Sequence, residues 1–73
     1  MASIDITAPM AGSVKEILVT MGEAVTEGQE VLLLESMKME IPVESTASGI
    51  VSAILVEPPQ TIEEGQALIR LEA

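Results

Sequence analysis

The sequence predicts an all-β protein: a sandwich or flattened β-barrel of two small antiparallel sheets with an internal quasi-twofold repeat. Three observations predict it. Shifted by 37 positions, the chain aligns with itself without a gap, and 11 of the 36 resulting pairs are identical. Average composition would give about two identities by chance. Within each half, short apolar runs rich in Val and Ile alternate with polar residues, the pattern of half-buried strands. The consecutive prolines Pro58 and Pro59 rule out a helix across the turn that separates two of these runs.

The elements follow in order, twice over. Ile4 and Ile6 alternate with polar neighbours, and Ile41 and Val43 repeat them around Pro42. A proline within a strand is tolerated only at an edge or a bulge, so the second copy is expected to have a free N–H side. Gly12 and Gly49 open runs that end Ile17-Leu18-Val19 and Ile54-Leu55-Val56. Alternation alone does not decide which side of these triplets faces the core. Turns follow at Met21-Gly22-Glu23 and at Glu57-Pro58-Pro59-Gln60, then tight turns at Thr26-Glu27-Gly28-Gln29 and Glu63-Glu64-Gly65-Gln66. In the latter pair each Gly is expected to supply a positive φ. The last strands are Val31–Glu35 and Leu68–Glu72. Arg70 marks the outer face of the second, so Ile69 and Leu71 point inward, and by the repeat so do Leu32 and Leu34.

Half of a 73-residue chain cannot bury its own apolar face. The two copies, 1–36 and 38–73, are therefore expected to pack on each other as one domain spanning 1–73. Symmetry then sets the seam between the copies at one end of the domain and the paired termini at the other. Met37 and Lys38 form the tip of a hairpin at that seam. One or both central residues of a two-residue hairpin need φ > 0, which favours Asn-Gly, Asp-Gly or Gly-containing pairs. Met-Lys breaks that rule, and such local failures often mark function.

Composition removes whole classes of activity. Cys, His, Phe, Tyr and Trp are all absent, which leaves no disulfide, no His or Cys zinc ligand and no aromatic stacking platform. Three basic residues against twelve acidic ones, a net charge of −9, argue against nucleic-acid binding. No nucleophile with a neighbouring base suggests an enzyme in its own right. No metal site and no membrane insertion are expected, and no run approaches the roughly 18 apolar residues of a membrane span. The segment Met1–Thr7 lacks the features of a signal peptide, so a cytoplasmic location is the default expectation.

Glu35-Ser36-Met37-Lys38-Met39-Glu40 resembles the attachment motif of biotinyl (biotin carboxyl carrier) domains in the biotin/lipoyl attachment family. Ala8-Pro9-Met10-Ala11-Gly12 resembles the opening segment of these domains, and Glu27-Gly28-Gln29 their turn. The similarity runs from about Ile4 to Leu71. It implies a barrel-sandwich hybrid of two four-stranded antiparallel sheets, with biotin covalently attached to Lys38. Met37 and Met39 are then flanking recognition contacts. Lipoyl domains share this fold but usually have Asp before the lysine and a small residue after it, so Met37 and Met39 favour biotin. Ser36 replaces the commoner Ala, Pro58-Pro59 replaces a Gly-Asp-like turn, and the protruding thumb of some carriers is missing between Val14 and Val25. In these respects the chain resembles thumbless carriers and short free-standing attachment proteins.

The resemblance implies a monomeric carrier that shuttles a carboxyl group between biotin carboxylase and carboxyltransferase sites after modification by a biotin protein ligase. Glu35, Glu40 and Glu44 are read as solvated strand residues, with recognition by a basic ligase surface as a secondary role. The alternatives are a lipoyl carrier of a 2-oxo-acid dehydrogenase or glycine cleavage system, and an unmodified lipoyl-like interaction module.

Overall fold

The computed structural model describes residues 2–73. Met1, the repeat mate of Lys38, lies outside the described residues. Eight strands follow one another: β1 (Ser3–Thr7), β2 (Gly12–Ile17), β3 (Ala24–Val25), β4 (Glu30–Ser36), β5 (Met39–Glu44), β6 (Gly49–Ile54), β7 (Thr61–Ile62) and β8 (Ala67–Glu72). They form two antiparallel sheets with strand orders β1-β8-β6-β3 and β5-β4-β2-β7. Moving β2 and β3 by 37 residues gives the bounds of β6 and β7, and the same shift converts one strand order into the other. No helix among the described residues is long and apolar enough to cross a membrane.

The interior repeats as well. Its buried side chains pair at the same offset: Ile6 with Val43, Ala8 with Ser45, Val14 with Val51, Val19 with Val56, Val25 with Ile62, Val31 with Leu68, Leu32 with Ile69 and Leu34 with Leu71. Both sheets contribute to one cluster, so each half covers the apolar face that the other cannot bury alone. Ser45 is the polar member, and its hydroxyl donates to the Ala47 carbonyl.

Two bulges per sheet explain what simple alternation leaves open. The register between β2 and β4 shifts between Val14 and Glu16, and that between β6 and β8 shifts between Val51 and Ala53. The extra residue re-aims everything downstream. Lys15 and Glu16 both face solvent, Val19 and Val56 enter the core, and Leu18 and Leu55 stay exposed. A second pair of shifts, with Val31 and Leu68 as the extra residues, lets Val31-Leu32 and Leu68-Ile69 be buried as consecutive residues.

The matching turns use matching hydrogen bonds. Gly28 and Gly65 have φ of 91° and 82°. Gln29 Oε1 accepts from the Thr26 amide and Gln66 Oε1 from the Glu63 amide, both at 3.1 Å. The amides of Gly28 and Gly65 donate to the carbonyls of Ser45 and Ala8, fastening each turn to the strand connection of the other copy. Pro42 lies in β5, an edge strand, where the missing N–H costs no ladder bond.

Candidate functional site

The strand registers separate the two ends of the domain. β2 begins beside Glu35 and runs away from it; its continuation β3 pairs with Ile50 and Gly49, beside Glu72. The terminal residues meet there, with the Ala73 amide donating to the Ala2 carbonyl at 3.0 Å. The hairpin joining β4 to β5 is at the other end.

Ser36 and Met39 are paired across that hairpin, leaving Met37 and Lys38 as its two loop residues. Their φ angles are 51° and 66°, so neither central residue escapes the left-handed region. This is the backbone of a primed turn, whose twist matches that of the flanking strands. A non-glycine residue there costs roughly 1–2 kcal/mol. The result is a protruding tip: Met37 is 91% exposed and Met39 60%, with the exposed Lys38 between them.

The other two basic side chains are tied down. Arg70 Nε donates to Asp5 Oδ1 at 2.8 Å on the outer face of the first sheet. Lys15 forms an ion pair with Glu40, reaching across β4. Glu35 and Glu40 stand directly opposite each other in the β4–β5 ladder, an unfavourable like-charge pair that Lys15 offsets. The Glu40 carboxylate, by hydrogen bond and then by charge, holds the Lys15 ammonium above its usual pKa. Among the described residues Lys38 is the one basic side chain without an ion-pair partner.

Of the segments singled out in the sequence, the structure brings two together. Gly12, the last residue of Ala8–Gly12, lies against Glu35 and Ser36 at the hairpin base. Glu27-Gly28-Gln29 lies before β4, away from the tip, and serves as a turn. Sequence reasoning missed the Lys15–Glu40 pair and the close approach at Gly12; the identity of Gly12 with Gly49 was the available signal. An open cavity of about 230 Å³ at the β6–β7 connection, lined by Ile54–Glu57 and Gln60, includes none of Met37, Lys38 and Met39. An amine on a four-carbon stem at an exposed tip suits a group linked by an amide and carried outside the domain.

Comparison with known proteins agrees with this geometry. The family model described as "Biotin-requiring enzyme" matches residues 4–71. The biotin/lipoyl attachment protein of Bacillus subtilis (strain 168) is 51% identical over 41 residues, 56% of this chain and 56% of that protein. The biotin carboxyl carrier protein of acetyl-CoA carboxylase from Solanum lycopersicum is 52% identical over 44 residues, 60% of this chain and 63% of its own. The matches thus span less than two thirds of either relative. The crystal structure of the Kluyveromyces lactis urea carboxylase superposes with a TM-score of 0.92 at 25% identity, over 99% of this chain and 6% of that one. With the family model covering nearly every residue and the same all-β architecture present, the chain belongs to the biotin/lipoyl attachment family of biotin-requiring enzymes.

Proposed function

We propose that residues 1–73 form a single biotin carboxyl carrier domain, with biotin amide-linked to Nζ of Lys38. One observation carries the reading: a two-residue turn with φ of 51° and 66° projects Lys38 between two exposed methionines, while Lys15 and Arg70 are held in ion pairs. The names of the Bacillus and Solanum relatives support it.

A biotin protein ligase presents an activated acyl adenylate. Nζ of Lys38 attacks the acyl carbon, AMP leaves with the bonding electron pair, and the amine releases a proton as the amide forms. The tip thereby loses one positive charge. Met37 and Met39 offer flexible, polarisable contacts to the ligase and to the partner active sites. Attached biotin supplies a ureido nitrogen that accepts a carboxyl group at a biotin carboxylase and yields it at a carboxyltransferase. The domain is a monomeric carrier that raises the effective concentration of a tethered reactant and breaks no bond itself. Its place of work is the cytoplasm.

The test is intact mass with fragment mapping after co-expression with a biotin protein ligase and excess biotin, beside a K38R control. A single biotinyl amide on Lys38, absent from K38R, is expected. An unmodified chain, or one lipoylated in preference, overturns the reading.

A further inference from the structure

We propose that Gly12 is a positioning residue for the Lys38 hairpin, and that the tight seating of β2 against Glu35 fixes the turn that a ligase must recognise. This inference rests on the carrier reading above.

The requirement at Gly12 is for space. Its φ lies outside the left-handed region that Gly22, Gly28 and Gly65 occupy. A Cβ added to Gly12 would stand 2.7 Å from the Glu35 carbonyl oxygen and 3.3 Å from Ser36 Cβ. No side chain tolerates a 2.7 Å contact of this kind, and the obstructing atom is backbone, which cannot swing aside as a flexible side chain could. Glu35 and Ser36 would have to move. Ser36 pairs with Met39 to close the turn, and both loop residues are already held in the left-handed region without a glycine to absorb a shift. Displacement at the base is therefore transmitted to Lys38.

The duplication supplies a control within the same molecule. Gly49 is the repeat mate of Gly12, and a Cβ there would stand 2.7 Å from the Glu72 carbonyl oxygen. Glu72 is the mate of Glu35 but lies at the end of the domain where the termini meet. The two substitutions create the same backbone conflict in the same kind of ladder. Only one of them touches the hairpin that carries Lys38.

The experiment compares wild type, G12A and G49A as full chains, measuring thermal unfolding and the kcat/KM for modification by a biotin protein ligase at a temperature where all three are folded. Similar losses of Tm are expected in both variants. Ligase kcat/KM should fall about tenfold or more in G12A, since small misplacements of a reacting group cost this much, and stay near wild type in G49A. Amide hydrogen exchange at Met37–Met39 should accelerate in G12A alone. If either variant is too unstable, trimethylamine N-oxide, which favours the folded state by exclusion from the protein surface, restores the comparison. Equal ligase defects in the two variants, or none in G12A, overturn the positioning role while leaving the carrier reading intact. A wild-type chain that is never modified overturns the carrier reading itself.

Discussion

Met37 and Lys38 hold positive φ angles side by side, and neither is a glycine. Such backbone is kept only where the surroundings enforce it. Here the β4–β5 ladder does so, because its register leaves two residues to reverse the chain. The strain is local to residues whose side chains contact little of the core, so relieving it should separate stability from function. In M37G the left-handed cost of roughly 1–2 kcal/mol disappears, while the flexibility of glycine in the unfolded chain takes back about 0.5–1 kcal/mol. Denaturant unfolding should find M37G as stable as wild type or more stable by up to about 1.5 kcal/mol, a balance of these two effects. On the proposed carrier reading, modification by a biotin protein ligase should nevertheless slow, because Met37, 91% exposed, is the apolar contact proposed for the ligase. A clear loss of stability in M37G would mean that the methionine side chain packs in a way that its exposure denies.

At the scale of strands, the two sheets act as one cooperative element because their core residues are shared. Leu34 in β4 and Leu71 in β8 are repeat mates, fully buried in one cluster. Each Leu→Ala truncation should cost about 2–5 kcal/mol. A chain of this size has only about 4–11 kcal/mol in total. L34A and L71A should therefore shift the urea midpoint by similar amounts in single transitions. Two transitions, or a marked difference between them, would show that the halves do not share one core. Much of this architecture was legible in the sequence, since Gly12, Val14 and Ile17 recur as Gly49, Val51 and Ile54 and mark where β2 and β6 begin and end. The hairpin tip was legible for the opposite reason, because Met-Lys contradicts the usual chemistry of the turn it occupies. The bulges were not legible. Nothing about Lys15 or Val31 announces an extra residue in a ladder, since a bulge is a property of two strands and sequence periodicity sees one. The same holds for Gly12, whose need for glycine comes from the Glu35 carbonyl 23 positions along the chain.

For the molecule as a whole, charge is the dominant imbalance: a net −9 with two of the three basic side chains already engaged. The Asp5–Arg70 pair ties β1 to β8 across the first sheet. The Arg70 hydrogen bond, with its charge adding to it, holds the Asp5 carboxyl below its ordinary pKa of 3.8. A carboxyl lowered on folding binds fewer protons in the native state than in the unfolded one, so its stabilisation is fully present above 3.8 and disappears as pH falls through the lower native value. Both groups are solvent-exposed, so the effect is modest and sensitive to salt. Acid also neutralises the remaining carboxylates and relieves their mutual repulsion, which moves stability the other way and masks the pair in wild type alone. Comparison with D5N removes the mask, because the other carboxylates are common to both chains. Wild type should unfold at a higher temperature than D5N near neutrality, and the gap should close as pH falls through the lowered native value of Asp5, below which the carboxyl is protonated in both states. The neutral-pH gap should also narrow as salt is raised. A gap that persists unchanged in acid would mean that Asp5 stabilises β1 through its neutral side chain rather than through Arg70.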